Sequence, residues 1–521
     1  MKLSKTDYIS WRECRKNVWV KWHKPDIYGQ FELSDFEKAL AVLGNEVEEL
    51  ARGMFPDGYL VERRSSGAQE LTLQLVAERK PVIFQAVFAT DKFLAATDIL
   101  KWNEEAGAYD LYEIKMSSTE EEDEDGKKTI NRKKELQFEF DLTYQYCVLQ
   151  LCGVPINKKI LVRLNKEYVR HGDLDFDQLF IFEDKSARVN ELAPIASDEM
   201  ERAHQYLSSD VEPTGPCECF FKGRSAHCTT FAYNNPTVPK YSVHDLNRIG
   251  SSKKYLKELL DAGILLLDDV PDDERLLPTK PKKGDPPRPQ RKRNQVLAHR
   301  SQKPIINYET LQAELDSLQF PLYFLDYETS PAPVPPFSGY RPYQHIVFQY
   351  SLHVQHDATS TPEPFEELVV DGDPSEKIAQ SLSKQIGKTG TVIVWSKRFE
   401  NSRNRELAYL LPDYVDFFTD VVNRTYDLMD IVDRQHYVHP GFKGSASIKM
   451  VAPILAPDVS YINLKVKSGT GAIEAYRMLT HGEVVGDEAE NLKKDMLKYC
   501  KLDTWAMVRL WQEFRKMVNA S

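Results

Sequence analysis

The sequence predicts an α/β chain that is divided into several domains. Its 521 residues favour roughly three domains. Apolar residues make up 41% and charged residues 28%, as in an ordinary globular protein. Short apolar runs alternate along the chain with longer amphipathic segments, as strands and helices do in α/β domains. We predict three regions, 1–235, 236–305 and 306–521.

The first region, 1–235, is predicted to form one α/β unit. A mostly apolar helix is expected over Leu142–Val154, which Gly153 ends. The charged segment Ser118–Lys128 predicts a solvated loop. Three apolar, β-type runs predict strands: Leu71–Val76, Val82–Phe88 and Leu111–Lys115.

The middle region, 236–305, is predicted to be helical and basic. A short helix ends at Gly263, and the segment Pro278–Lys303 is rich in Pro, Lys and Arg. Such a segment suits either a contact with a phosphate backbone or a plain solvated linker. One acid, Asp285, stands among nine basic residues: Lys280, Lys282, Lys283, Arg288, Arg291, Lys292, Arg293, Arg300 and Lys303.

The last region, 306–521, is predicted to be a second α/β domain. Strands and helices alternate here with little intervening chain. The predicted strands are Leu322–Tyr327, Ile346–Val354, Glu367–Val370 and Thr391–Trp395. The predicted helices are Glu376–Ile386, Arg398–Leu411 and Ala489–Val518.

The segment Pro321–Ser330 carries the most informative pattern of the chain. Five largely apolar residues lead into Asp326 and Glu328, and residues i and i+2 of a strand point to the same face. Two carboxylates held that close repel each other unless a cation lies between them. The pair therefore predicts a hard metal ion of the kind that supports phosphate chemistry, although Asp-x-Glu alone is more often structural.

Further acids follow at expected strand and helix positions. Glu400 follows a strand-to-helix junction, and Asp427 comes next along the chain, in Tyr426–Asp430. Tyr499 and Asp503 are spaced i, i+4 on the last helix and share a face. Asp503 lies on or near the apolar stripe of that helix, where a carboxylate is costly unless something pairs with it.

This order of motifs resembles the DEDD family of 3′-to-5′ exonucleases, whose domains have a ribonuclease-H-like mixed-sheet fold. Asp326 and Glu328 match the first motif, and Glu400 falls where the second motif ends. Tyr499-x-x-x-Asp503 matches the third motif in its tyrosine form. The resemblance implies two Mg²⁺ or Mn²⁺ ions between the carboxylates, with Tyr499 orienting or helping to deprotonate the attacking water.

The second motif departs from the family pattern. Glu400 stands where the family has Asp, and Ser396 stands near a position that often carries Asn. Glutamate is still a hard oxygen ligand, but it is longer by one methylene. Asp427 is therefore the alternative third acid.

A second acid set lies upstream. Asp98 precedes Glu113-x-Lys115, whose spacing aims both side chains at one spot, and Gln145 follows in the apolar helix. This order resembles the PD-(D/E)xK nucleases, which have a restriction-endonuclease-like fold. The resemblance implies that Asp98 and Glu113 bind metal and that Lys115 positions or polarises the water. A surface ion pair is the alternative for Glu-x-Lys, and Gln85 stands where related sequences often carry Glu.

Seven cysteines, an odd number without an export signal, argue against a disulfide framework. Cys14 near the start and Cys217, Cys219 and Cys228 later resemble the ligands of iron–sulphur RecB-type nucleases. That resemblance implies a 4Fe–4S cluster joining the ends of the nuclease domain, and the tight Cys217-x-Cys219 spacing leaves zinc open. The remaining cysteines are predicted core residues: Cys147, Cys152 and Cys500.

The whole chain resembles a bacterial family that joins a RecB-like nuclease region to a C-terminal domain of unknown function. The resemblance is carried by Leu3–Tyr8, Tyr323–Thr329, Gly444–Lys449 and Tyr499–Thr504. It implies a metal-dependent nuclease that degrades DNA, single-stranded or with a 3′ end. An RNA exonuclease and a nucleic-acid-binding scaffold with a degenerate nuclease site are the alternatives.

Composition bounds the location and the partners of the chain. No apolar run reaches 18 residues and the N-terminus lacks a signal-peptide core, so we expect a cytoplasmic protein with no membrane contact. The net charge of −11 does not decide whether nucleic acid is bound, because metal-dependent nucleases cluster acids at their sites. The sequence leaves the oligomeric state open.

Overall fold

The structure is a computed structural model that describes residues 1–30, 35–116, 120–122, 128–276, 290–462 and 464–519. It divides into two compact units. Both units are α/β, as predicted, and both contain mixed sheets. Unit 1 comprises Met1–Phe220, His227–Pro236 and Pro333–Tyr343, and unit 2 comprises Phe221–Ala226, Thr237–Ala332 and Gln344–Ser521.

The described residues of unit 1 form the first eleven strands and nine helices. The strands are β1 (Leu3–Ser4), β2 (Tyr59–Leu60), β3 (Val82–Phe84), β4 (Val87–Ala89), β5 (Phe93–Ala96), β6 (Ile99–Asn103), β7 (Ala108–Lys115), β8 (Glu120–Glu122), β9 (Lys128–Ile130), β10 (Ile156–Leu164) and β11 (Phe180–Asp184). The helices are α1 (Lys5–Glu13), α2 (Arg15–His23), α3 (Pro25–Tyr28), α4 (Asp35–Arg52), α5 (Ala68–Ala77), α6 (Arg132–Leu151), α7 (Phe176–Leu179), α8 (Ser186–Leu207) and α9 (Phe231–Asn234).

The largest sheet of unit 1 has six strands in the order β11-β10-β7-β6-β3-β2. Strand β7 lies inside it, parallel to β10 and antiparallel to β6, and every residue of β7 except Lys115 is buried. A three-stranded sheet has the order β1-β5-β4, in which β1 pairs with β5 in parallel. This pairing fixes the start of α1 beside the strands that carry the predicted N-terminal site.

Four local predictions in unit 1 differ from the structure. The helix predicted over Leu142–Val154 is α6, which begins earlier, at Arg132, because the Asn131 side chain caps its start. Leu71–Val76 is part of helix α5, because Thr72 and Leu75 are buried three residues apart while the flanking leucines are exposed. The predicted strand Val82–Phe88 is divided into β3 and β4 by Gln85, which has a left-handed φ of 54°. The predicted loop Ser118–Lys128 lies partly outside the described residues, and its described ends pair as the hairpin β8–β9.

Unit 2 contains the remaining helices and strands. The helices are α10 (Lys253–Asp261), α11 (Arg291–Ser301), α12 (Tyr308–Asp316), α13 (Ser375–Gln385), α14 (Lys397–Leu410), α15 (Val415–Asn423), α16 (Asp430–Asp433), α17 (Ile448–Leu455), α18 (Gly469–Thr480) and α19 (Gly486–Asn519). The strands are β12 (Ile305–Ile306), β13 (Leu322–Pro331), β14 (His345–Gln355), β15 (Glu363–Leu368), β16 (Thr391–Val394), β17 (Thr425–Asp427) and β18 (Tyr437–Val438).

The main sheet of unit 2 has five strands in the order β15-β14-β13-β16-β17. Strands β13, β14 and β15 pair antiparallel, whereas β13, β16 and β17 run parallel. One core packs β13 and β16 against α12, α17 and α19, and another packs the sheet against α13, α14 and α15. Helices therefore cover both faces of this sheet, and its central strand, β13, carries Asp326 and Glu328.

The predicted basic region, 236–305, does not form a unit of its own in the described residues, since 237–276 and 290–305 belong to unit 2. Part of the basic segment lies outside the described residues, including Lys280, Lys282, Lys283 and Arg288. The described part forms α11, where Arg291 pairs with Asp433 and Arg300 donates to backbone carbonyls. Both arginines therefore contact residues of unit 2 itself. Among the described residues, no helix is long and apolar enough to cross a membrane.

Candidate functional site

The acidic pair of β13 lies where the parallel strands of unit 2 end. Strand β16 pairs with β13 only at Leu322–Phe324, so Asp326 and Glu328 lie beyond the end of β16. As the strand alternation predicts, both carboxylates point to one place. One oxygen of each, together with the sulfur of Cys500, lies within 4.8 Å of the others. Ligand sites of α/β sheets occupy this kind of crevice at the carboxyl ends of strands.

Glu400 reaches this edge because the chain turns sharply after β16. Ser396 has a left-handed φ of 84°, and α14 begins at the next residue, which places Glu400 in the first helical turn. The side chain is only 3% exposed. Its Oε2 atom is buried and has no hydrogen-bond partner among the described residues. Such an atom is costly unless a cation or donor meets it.

Asp427, the alternative third acid, has a different set of partners. Its Oδ1 accepts from the N–H of Ser396 at 3.0 Å and of Met429 at 3.1 Å. Its Oδ2 accepts from the N–H of Lys397 at 2.7 Å. Asp427 therefore caps the start of α14 and fixes the turn that presents Glu400. The geometry favours Glu400 as the third acid.

The last acid, Asp503, is held on α19 by hydroxyl groups. Tyr461 Oη donates to Asp503 Oδ1 at 2.6 Å, and the hydroxyl group of Tyr499, one turn earlier on the helix, acts against burial to lower the pKa of this carboxyl. Lys449 Nζ in turn donates to Tyr499 Oη at 2.9 Å and to the carbonyl oxygen of Lys467 at 3.0 Å. Asp503 is 7% exposed, so these donors stabilise a carboxylate that water scarcely reaches.

The electrostatics of this acid cluster call for a cation. Burial, and after it the charge of neighbouring acids, raises the pKa of Asp326, Glu328 and Glu400 well above the usual range. Burial also raises the pKa of Asp503. The ammonium of Lys449 opposes these shifts at Asp326, Glu328 and Asp503 without reversing them. Divalent ions would keep all four carboxylates ionised, and an oxygen donor set of this kind fits Mg²⁺ or Mn²⁺.

Three residues of this cluster were missed by the sequence reasoning: Lys449, Tyr461 and Cys500. Lys449 ends the stretch Gly444–Lys449, which in the sequence indicates only family resemblance. Cys500 had been predicted to be a core residue, and it is fully buried, but its sulfur lies 3.7 Å from Asp326 Oδ2. Tyr461 carries no local signal, because its contact with Asp503 spans 42 residues.

The predicted N-terminal set gathers around Glu113 on the buried strand β7. Lys115 Nζ lies 2.8 Å from Glu113 Oε1, so the predicted convergence of this pair is present, and Lys115 also pairs with Asp141. Lys5 Nζ contacts the same Oε1 at 2.6 Å, and Gln145 Nε2 donates to Oε2 at 2.5 Å. Although burial opposes it, the charges of Lys115 and Lys5 hold the pKa of Glu113 below its usual range.

Asp98 lies beside this group, directly before β6. Its Oδ2 accepts from the backbone N–H of Ile114 at 2.8 Å. Burial, followed by the charge of Glu113, raises the pKa of Asp98 to about 7. Another acid that the sequence reasoning missed, Glu48 of α4, accepts hydrogen bonds from Gln85 at 2.8 Å and Arg63 at 3.0 Å.

The four predicted cysteine ligands meet in unit 1. The sulfur atoms of Cys14, Cys217, Cys219 and Cys228 all lie within 4.8 Å of one another, and those of Cys217 and Cys228 are 4.0 Å apart. Thiolates around one tetrahedral zinc ion at about 2.3 Å would lie roughly 3.8 Å apart. A four-iron cluster, with each thiolate on a different iron, needs a wider arrangement. The spacing therefore fits zinc better, and the cluster ties Cys14 to a segment about two hundred residues later.

Comparison with known proteins gives little functional information. Residues 323–447 match a family model described as a domain of unknown function, DUF2779, and this span includes Asp326, Glu328 and Glu400. A segment of 205 residues is 24% identical to the uncharacterized protein MG366 of Mycoplasma genitalium. That segment covers 36% of this chain and 31% of the Mycoplasma protein, so the chain spans about a third of this relative. No solved structure matches the chain.

Proposed function

We propose that the C-terminal domain is a metal-dependent nuclease of the ribonuclease-H-like class that degrades DNA from 3′ ends. The observation that carries the proposal is the convergence of buried carboxylates from β13, α14 and α19, among which Glu400 has an unpaired oxygen. The mixed five-stranded sheet and the order of the acids along the chain also support it. Structural acids seldom converge without a cation, whereas phosphodiester hydrolysis by two metal ions requires this donor set.

Each residue of the cluster has a role in this mechanism. Asp326, Glu328, Glu400 and Asp503 would hold the divalent ions, which when bound stabilise charge on the phosphate and activate water. Tyr499 would orient the attacking water through its hydroxyl group. Its position beside Asp503 depends on the hydrogen bond from Lys449. Burial of the site excludes bulk water and so strengthens these interactions.

The N-terminal domain is proposed to be a RecB-like PD-(D/E)xK domain that binds DNA and is stabilised by the four-cysteine metal site. Glu113, Lys115 and Asp98 have the predicted proximity, but lysine side chains already neutralise Glu113. DNA binding is therefore favoured over cutting for this domain. Colourless protein that loses bound zinc when Cys14 is replaced by Ser would assign zinc to the cysteines, and brown protein after anaerobic purification would assign the 4Fe–4S cluster.

The proposed function is tested with 3′-labelled DNA oligonucleotides and Mg²⁺ or Mn²⁺. Asp326→Ala should abolish degradation, and Lys115→Ala should leave it largely intact. Activity that persists in Asp326→Ala and disappears in Lys115→Ala would instead place the chemistry in the N-terminal domain. Turnover by neither site, with DNA binding that needs no metal and survives Asp326→Ala, would indicate the scaffold alternative.

An RNA exonuclease is the second enzymatic possibility. No sequence feature of the cluster distinguishes a ribose 2′-hydroxyl. Matched DNA and RNA strands of the same sequence, assayed side by side, decide between the two substrates. The proposal of a DNA nuclease fails if the RNA strand is degraded and the DNA strand is not.

A further inference from the structure

The sulfur atom of Cys500 lies inside the acid cluster of unit 2. Cys500 is fully buried on α19, and its Sγ lies 3.7 Å from Asp326 Oδ2 and 3.8 Å from the carbonyl oxygen of Asp326. It is three residues from Asp503, so both project from one face of the helix. The sulfur and one oxygen each of Asp326 and Glu328 lie within 4.8 Å of one another, which is a spacing that one metal ion could bridge.

A buried cysteine elsewhere in the chain shows how different this environment is. Cys147 is 4% exposed, and its sulfur contacts the carbonyl oxygen of Ala193 at 3.8 Å and the hydroxyl group of Ser197 at 3.5 Å. Those partners are ordinary for a thiol in a core. Cys500 instead shares its surroundings with carboxylates that no described side chain fully neutralises.

A separate observation shows that this cluster is built for a ligand. Oε2 of Glu400 is buried without a hydrogen-bond partner among the described residues, and the charge of Glu400 acts on Asp326, Glu328 and Cys500. The cluster thus joins a soft sulfur donor to hard oxygen donors. Thiolate ligands favour zinc and cobalt, whereas Mg²⁺ takes oxygen ligands and gains nothing from sulfur.

We propose that Cys500 is a metal ligand, so that the ion held by Asp326 and Glu328 is a thiophilic divalent ion of the Co²⁺ and Zn²⁺ class. Binding replaces the thiol proton: the S–H bond breaks, a sulfur–metal bond forms, and the proton passes to solvent. No electron is transferred. This inference rests on the proposed metal-dependent function of the site, but it concerns which ion the site selects.

The test is a Co²⁺ titration of the full chain. Binding is monitored by the near-ultraviolet charge-transfer absorption of thiolate–cobalt bonds. Four proteins are compared: wild type, Cys500→Ser, Cys500→Ala and the matched control Cys147→Ser. The four-cysteine cluster of unit 1 contributes equally to all of them. We expect both Cys500 variants to lose one increment of this absorption and to bind Co²⁺ more weakly at that site, by on the order of tenfold. Cys147→Ser should behave as wild type.

The outcomes separate this inference from the proposed nuclease. Equal spectra and equal Co²⁺ affinity in Cys500→Ser, Cys500→Ala and Cys147→Ser would overturn the ligand assignment and leave Cys500 as a core residue. Asp326→Asn should remove the same increment, because it removes a second ligand of that ion. If the Cys500 variants lose the absorption increment and the wild-type protein cleaves no DNA with any metal ion, the sulfur ligand is supported and the nuclease is refuted. If the wild-type protein cleaves DNA with Mg²⁺ and Cys500 contributes no absorption increment, the nuclease is supported and the sulfur ligand is refuted.

Discussion

The two acid sites of this protein start from the same local pattern and reach opposite charge states. Glu113 and Lys115 on β7, like Asp326 and Glu328 on β13, are spaced i, i+2 on a buried strand. Around Glu113 the structure places two ammonium groups, and the pKa of this carboxyl falls. Around Glu328, burial and then the charge of further acids raise the pKa of the carboxyl. The N-terminal site supplies its own cations, whereas the function proposed for the C-terminal site requires ions from solution.

The largest difference between the sites is expected in catalysis. Glu328→Gln removes a metal ligand and should lower the rate of metal-dependent DNA degradation by at least on the order of 10³-fold. Glu113→Gln, the matched change in the other site, should alter that rate by less than about tenfold per folded molecule. Rates are measured with 3′-labelled oligonucleotides. Similar losses in both variants would mean that the two sites act together and that the assignment of catalysis to only one of them is wrong.

Stability should respond to the same two variants with opposite signs when no divalent ion is present. Glu113→Gln removes the carboxylate that Lys5 pairs with and leaves Lys115 paired with Asp141 alone, so it should cost about 3 kcal/mol. Glu328→Gln removes one repelling charge and should raise stability at neutral pH. Urea denaturation in a chelating buffer measures both effects. Adding Lys5→Met to Glu113→Gln should recover part of the loss, and no recovery would show that Lys5 is not stabilised by this contact.

The sequence predicts the local half of each site and misses the distant half. Spacing within a strand or helix is local, so the convergence of Asp326 with Glu328 follows from residue order alone. Strands and helices around it, such as β13, α14 and α19, lie within a few residues of their predicted bounds. Lys5 approaches Glu113 across 108 residues of sequence because β1 pairs with β5, and no local pattern predicts that pairing.

The sequence also assigns a role to some side chains from residue type alone, although their spatial neighbours determine that role. Cys500 was predicted to be a core residue because its neighbours in sequence are apolar or helical, yet the residues it contacts come from β13. From the sequence, Asp427 and Glu400 are alternatives for the third acid of the cluster. The structure separates them by their partners, since three backbone N–H groups occupy Asp427.

The assignment of Glu400 is sharpened by comparing it with Asp427. Asp427→Ala removes three hydrogen-bond acceptor contacts at the start of α14 and should destabilise the protein by about 2 kcal/mol. Its folded fraction should still bind divalent ions. Glu400→Gln should keep the fold and lose metal-induced stabilisation. Thermal unfolding with and without Mn²⁺ measures both. If only Asp427→Ala loses the stabilisation by Mn²⁺, Asp427 is the metal ligand and Glu400 is not.

The last expected effect concerns the pH dependence of the N-terminal site. The pKa of Asp98 is about 7 in the folded protein, against an ordinary value of 3.8. A carboxyl with a raised pKa stabilises the folded state most at low pH, and this contribution is lost as the pH rises from near 4 through 7. The slope of unfolding free energy against pH cannot exceed about 1.4 kcal/mol per pH unit for one proton.

Asp98→Asn should flatten the decline in unfolding free energy over that window, whereas Asp110→Asn, an equally buried control, should not. An unchanged slope in Asp98→Asn would mean that the cations around Glu113 neutralise Asp98 as well, and the two acid sites would then differ even more in their need for an external ion.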